Sequence, residues 1–224
     1  MGGTILDSTS DADLLAAPSR ITVVSGLPRA GTSLLMQILE AAGLALARDD
    51  GRPPDPDNPR GYHELAAVKR IQHDKRFLAD CRGRVVKIVA PLLTELPSGD
   101  RYRVLFVERD LGEVLASQRA LLLRRGVEPK PVDEAALARA FETALVRCRA
   151  WLAARPQIEM LSIDHRDLLE TPDEAVAAIA AFLMRTADLQ GGGPGPALAA
   201  GPLPFALRSA MARAIDPSLH RQRG

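Results

Sequence analysis

"ITVVSGLPRAGTSLLMQILEAAG", residues 21 to 43, is the stretch that decides the fold. "ITVVS" (21–25) is β-branched and apolar without alternation, the pattern of a strand buried on both faces. Leu34, Leu35, Ile38, Leu39 and Ala42 then recur at helical spacing, and Gly43 is placed to end that helix. Gly26 and Gly31 bracket a tight turn between the two. Strand, glycine turn and helix N-terminus aim backbone N–H groups and a positive dipole end at one point, which is the build of an anion site.

The loop nearly matches a triphosphate-binding loop, but Thr32 stands where that loop carries its lysine. The nearby cation is Arg29, inside the turn, whose planar fork of donors can reach over an anion. Thr32 and Ser33 add hydroxyls in the first helical turn. The same glycines also suit a plain strand-to-helix turn; Arg29 and the two hydroxyls weigh toward an anion. ATP with magnesium fits less well, because metal and lysine together balance the β/γ-phosphates. The candidate metal carboxylates, Glu108 and Asp110 in "VERD", have Arg109 between them.

Outward from the loop, "RVVKIVA" (84–90), "YRVLFVE" (102–108) and "IEMLSI" (158–163) read as further strands. Helices are expected over 64–81, from Leu111 to Gly126, and over 133–154, where Pro156 stops the pattern. Another is expected over 171–185, with Thr171 as N-cap and Pro172 at its first position. Strands alternating with helices predict an α/β fold of three layers, P-loop-like, with a mainly parallel central sheet of four or five strands flanked by helices.

Residues 1–19 read as a polar, acidic, flexible leader, and 20–224 as a single domain. "RDDGRPPDPDNPRGY" (48–62), with four prolines and two glycines, reads as a long loop. Residues 191–204 read as a Gly/Pro-rich link to a short basic C-terminal tail. No internal repeat is visible.

Twenty-nine Lys and Arg against 28 Asp and Glu leave a net charge of +1, which argues against non-specific nucleic-acid binding and makes any anion site local. Cys81 and Cys148 stand far apart, without the spacing of a disulfide framework or zinc site, so no metal is expected and the thiols read as reduced and buried. No basic segment precedes an apolar run at the N-terminus, and no stretch approaches about 18 consecutive apolar residues. A cytoplasmic protein without a membrane anchor is expected. A homo-oligomer is neither indicated nor excluded.

"ERDLGEVLASQRALL" is the second constellation. Arg109 leaves the C-terminal end of a strand, the edge where open α/β sheets bind ligands, and Ser117 lies eight residues on in the next helix. Together they can grip a second phosphate; standing alone, the segment would read as a salt bridge and a solvated helix face.

"SGLPRAGTSLL" (25–35), "VLFVERDLGEVLASQRALL" (104–122) and "LSIDHRDLLETPDEAVAAIAAFL" (161–183), in that order, resemble the sulfotransferases that use 3′-phosphoadenosine 5′-phosphosulfate. "DNPRGYHE" (57–64) and "DPSLHRQR" (216–223) resemble segments of the bacterial members. The likeness spans about residues 20–223, with gaps. It implies that Pro28, Arg29, Ala30, Gly31, Thr32 and Ser33 bind the 5′-phosphosulfate, that Arg109 and Ser117 bind the 3′-phosphate, and that Arg221 in the basic tail closes over it.

It further implies transfer of a sulfuryl group to a hydroxyl or amine of a small-molecule acceptor, with adenosine 3′,5′-bisphosphate as product and no metal required. The family's proton acceptor is a His or Glu. Glu64 is the first candidate here and His63 the reserve, while Glu64 also suits the start of a helix. Lys87, a cation in an apolar strand, needs an anionic partner, which the phosphosulfate or an acceptor group would be; it could also snorkel to an edge. His73 reads as a surface residue, and His165, where the family has Tyr, as structural. No Trp follows the loop to stack on adenine, and "HRQRG" replaces the family's Arg-Lys-Gly ending. The rivals are an ATP-dependent metabolite kinase with a degenerate loop, and a nucleotide-binding protein of the same fold without catalysis.

Overall fold

A computed structural model describes residues 19–49, 55, 58–185 and 204–216. Five parallel strands form its sheet: β1 (Ile21–Gly26), β2 (Leu46–Ala47), β3 (Val85–Lys87), β4 (Tyr102–Glu108) and β5 (Glu159–Asp164), in the spatial order β2-β3-β1-β4-β5. The mainly parallel sheet expected from the alternating pattern is thus parallel throughout. Every residue of β1 is buried, as its unbroken apolar run requires of a strand with neighbours on both sides and helices on both faces. β5, at one edge, alternates partly buried and exposed residues along most of its length. The two residues of β2 form the other edge, too short to template pairing with another chain.

Among the described residues seven α-helices cover the sheet: α1 (Thr32–Ala41), α2 (Ala90–Leu93), α3 (Leu111–Arg124), α4 (Pro131–Ala153), α5 (His165–Glu170), α6 (Pro172–Arg185) and α7 (Phe205–Arg213). α1, α6 and α7 pack together on one face, and α4 packs with α2 and α3 on the other. Right-handed crossovers demand this division, because the chain leaves β1 toward one edge and leaves β3 and β4 toward the other. One hydrophobic cluster joins all these elements. Within it the buried Arg103 of β4 donates to Thr22 Oγ1 at 2.7 Å and to the carbonyl of Leu183 at 3.0 Å, tying the last turn of α6 to the sheet. A cation near a helix C-terminus also opposes the dipole there.

Two expectations are corrected. The helix expected over 64–81 is instead two 3₁₀ helices, Ala66–Arg70 and Arg76–Cys81. Asp74 causes the break: its Oδ1 accepts the backbone N–H of Arg76 at 3.0 Å, a local turn that competes with continued helix. The tail expected after the Gly/Pro-rich link contains α7, whose Leu207 and Met211, one turn apart, are buried. Thr171 does precede α6, and its carbonyl accepts the N–H groups of Glu174 and Ala175, while its hydroxyl turns back to the carbonyl of Asp167. The leader to residue 18, most of 48–57, the link 191–203 and Arg221 lie outside the described residues. Among the described residues no helix is long and apolar enough to cross a membrane.

Candidate functional site

The C-terminal ends of β1, β3, β4 and β5 open onto one cleft of about 430 Å³. The turn after β1 is its floor. Gly26, at φ 147°, lies so close to β4 that an added Cβ would meet the carbonyl oxygen of Val107 at 2.6 Å. Arg29 takes a left-handed φ of 70°, and Ala30 N–H closes the turn onto the Leu27 carbonyl at 3.0 Å. Gly31, at φ 105°, starts α1 with no side-chain cap and no acidic residue in the first turn. The positive end of α1 is therefore offset by no acidic side chain of its own first turn.

Arg29 and Ser117 meet across the cleft: Arg29 Nε donates to Ser117 Oγ at 3.2 Å. Arg109 Nη1 in turn donates to the carbonyl of Arg29 at 3.0 Å, and its Nε to Glu113 Oε2 at 2.9 Å. That hydrogen bond is the main reason the Glu113 carboxyl is held below its ordinary range, with Arg166 adding to it. Arg109 is both salt-bridged, as the plainer reading of its segment had it, and part of the cleft wall. The two segments that sequence reading singled out thus form one hydrogen-bonded unit.

Lys87 enters from β3. Its side chain is buried, and its ammonium donates to the Tyr62 carbonyl and to Ser33 Oγ at 3.3 Å, with Glu64 Oε1 at 3.7 Å. Pro28, Gly31, Thr32 and Glu64 also line the cleft, whereas Ala30 turns into the core. His165, at the start of α5, packs its ring edge against Gly31.

His63 lies outside the cleft wall. A left-handed φ of 50° sends its ring toward α1, where Nδ1 accepts from Arg48 Nη1 at 2.7 Å and lies 3.9 Å from Glu40 Oε2. Burial pushes its pKa down, opposed by Glu40 and assisted by Arg48 and Lys87. The reversal in backbone hand is what lets adjacent residues face opposite ways, His63 to α1 and Glu64 to the cleft.

Sequence reading missed Gln37, Tyr62, Gln118, Arg124, Arg125 and Asp216 in the cleft wall. Gln118, Leu121, Arg124 and Arg125 follow Ser117 at helical spacing, a signal that was present in the sequence. Asp216 gave none: Arg60 brings it there through contacts to Asp216 Oδ2 at 3.3 Å and to the Ala214 carbonyl at 2.6 Å. Among the described residues five cationic side chains line the cleft (Arg29, Lys87, Arg109, Arg124 and Arg125) against two carboxylates, Glu64 and Asp216. Among the described residues no three His, Cys, Asp or Glu side chains converge as metal ligands.

Fold and cleft define a three-layer α/β protein with a cationic, amide-floored cleft at the carboxyl edge of its sheet. Neither a scan against models of known protein families nor a search of curated proteins finds a match to the chain.

Proposed function

We propose that the cleft binds 3′-phosphoadenosine 5′-phosphosulfate and that the protein is a sulfotransferase acting on a hydroxyl or amine of a small molecule. The observation that carries this is the Arg29–Ser117–Arg109 unit, in which two anion-binding segments 80 residues apart are joined by direct hydrogen bonds. A ligand with anionic groups at both ends of one nucleoside suits such a pair better than a linear triphosphate. The residues fit the group: the Gly26–Gly31 turn brings the uncapped start of α1 to the cleft floor, and cations outnumber carboxylates among the described residues that line it.

In this reading the loop amides, Arg29, Thr32 and Ser33 hold the 5′-phosphosulfate, and Arg109 and Ser117 hold the 3′-phosphate. When bound, the nucleotide supplies a sulfuryl group on a phosphate leaving group. Glu64 takes the acceptor's proton as the new S–O or S–N bond forms. Lys87 and Arg29 stabilise the charge left on the phosphate oxygen as the old S–O bond breaks. Lys87 also fixes the Glu64 carboxylate, and Tyr62 holds Lys87 through its carbonyl.

Calorimetric titration with adenosine 3′,5′-bisphosphate, ATP and AMP is the test. The bisphosphate is expected to bind most tightly, and Arg109→Ala to weaken it by about 10- to 100-fold, the worth of a charge-assisted hydrogen bond. Preference for ATP would overturn the reading in favour of a kinase. Sulfated product that still forms at the normal rate in Glu64→Gln would remove Glu64 as base. Bisphosphate binding without sulfuryl transfer to any hydroxyl or amine in a broad acceptor panel would leave a nucleotide-binding protein in place of an enzyme.

A further inference from the structure

The hydrogen bonds around Arg109 close into a ring. Glu113 Oε2 accepts from Arg109 Nε at 2.9 Å, Arg109 Nη1 donates to the Arg29 carbonyl at 3.0 Å, and Arg29 Nε donates to Ser117 Oγ at 3.2 Å. α3 completes the ring, because Glu113 and Ser117 lie four residues apart and so share one helix face. Arg29, Arg109 and Ser117 line the cleft, and Glu113 stands behind them. Sulfuryl transfer as proposed gives Glu113 no part.

Glu113 is itself fixed at both ends. Its backbone N–H donates to Oδ1 of Asp110, the N-cap of α3, at 3.0 Å, and its other carboxylate oxygen, Oε1, lies 3.4 Å from Arg166 Nη2. A plain surface ion pair accounts poorly for this. Such pairs join two exposed side chains and are worth little. Here the arginine side chain is only 8% exposed, and it leaves the chain ahead of the N-cap, at the end of β4. A guanidinium that must meet an anion loses less freedom on binding if its neighbours already hold it. Glu113 holds Arg109 along its Nε edge, and the Arg29 carbonyl holds Nη1, so the plane of the fork is set from two sides.

We infer that Glu113 is a positioning residue for the second phosphate, setting the Arg109 guanidinium in place before the ligand arrives. The inference rests on the reading of Arg109 and Ser117 as the 3′-phosphate grip. Calorimetric titration of the full chain with adenosine 3′,5′-bisphosphate and with AMP tests it, in the parent and in Glu113→Ala, Glu113→Gln and Glu113→Asp. AMP lacks the 3′-phosphate, so the ratio of the two affinities isolates what Arg109 grips. A general loosening of the fold lowers both affinities alike. Gln keeps the reach and an acceptor without the charge, whereas Asp keeps the charge and falls one methylene short.

Glu113→Ala and Glu113→Asp are expected to bind the bisphosphate about five- to tenfold more weakly, the cost of ordering one long side chain at the moment of binding, with AMP affinity within about twofold of the parent. Glu113→Gln is expected to stay within about twofold for both nucleotides. Urea unfolding checks that each variant folds; should Glu113→Ala not fold, the Gln and Asp variants decide. An affinity ratio unchanged by Ala and Asp, an equal loss for both nucleotides, or tighter bisphosphate binding without the carboxylate overturns the inference. Loss in Gln with retention in Asp also overturns it, since charge alone would then be at work. A parent that binds the bisphosphate no better than AMP overturns the two-phosphate reading and takes this inference with it, whereas a parental preference that the variants leave intact overturns this inference alone.

Discussion

Gly31→Ala tests the geometry of the site without reference to any ligand. Two costs are readable. At φ 105° an L-residue is strained, at about 1–2 kcal/mol by the left-handed penalty. The new methyl group would also stand 2.4 Å from His165 Cδ2 and 3.2 Å from Nε2, so the ring, only 6% exposed, must shift within packed surroundings. Overpacking of that kind costs about 1–3 kcal/mol. Together the loss is about 2–5 kcal/mol, a large share of an ordinary domain's stability. At about 2–4 °C per kcal/mol for a chain of this size, the Tm falls by about 4–20 °C.

Urea unfolding of Gly31→Ala, His165→Ala and the double variant separates the two costs. His165→Ala removes the obstacle but not the backbone strain, so Gly31→Ala in that background should cost only about 1–2 kcal/mol. The coupling between the substitutions should accordingly be about 1–3 kcal/mol, well above the roughly 0.3–0.5 kcal/mol scatter of independent sites. Gly31→Ala within about 0.5 kcal/mol of the parent, or a cycle that closes additively, would refute the close approach of His165 to the loop.

Lys87→Met removes the ammonium from the Tyr62 carbonyl and from Glu64; the partly exposed carboxylate can rehydrate, but the carbonyl beneath it cannot, so urea unfolding should show a loss of about 1–3 kcal/mol. Stability equal to the parent would mean that the lysine's own desolvation cancels its bonds. His63 has a folded pKa depressed below its ordinary 6.5, chiefly by burial, so the unfolded chain takes up the proton first. Its contribution is full above about pH 6.5 and is lost as pH falls below it. His63→Asn, which keeps a residue tolerant of left-handed backbone, should flatten that part of the stability–pH curve, and an unchanged slope counts against a buried neutral His63. Cys81 and Cys148 are buried with thiols pushed up to about 11, so a thiol reagent at about pH 8 should label neither in the native protein and both in urea. Rapid native labelling would contradict their burial.

What the sequence revealed follows from how far apart the interacting residues lie along it. β1 to within one residue and β4 end to end could be read because a run dominated by β-branched and apolar residues reports burial on both faces. β2, at two residues, is shorter than any period and became a strand only by pairing with β3. The 64–81 region carried helical spacing, and one carboxylate, Asp74, outweighed it by capturing the next turn's amide. Arg29, Arg109 and Ser117 were legible as two separate segments. Their union was not, since it depends on Arg109 reaching the Arg29 carbonyl across the sheet edge.

The substitution at Thr32 shows the same limit at the centre of the site. A triphosphate loop places its lysine in the chain, immediately after the second glycine, and here that position holds a buried threonine. Yet a lysine ammonium does stand at this loop: Lys87, from the neighbouring strand, donates to Ser33, one residue on. The parallel register of β1 and β3, with Val24 opposite Lys87, puts it there. A lysine carried by the loop itself can follow its phosphates on a flexible stem. Lys87 is held from three sides, by Tyr62, Ser33 and Glu64, so its charge is fixed in one place, beside the Glu64 carboxylate. Moving the cation from loop to strand thus gives up reach for a fixed pairing of ammonium and carboxylate, an arrangement that suits the proposed transfer, in which a proton and an anion are handled at adjacent positions.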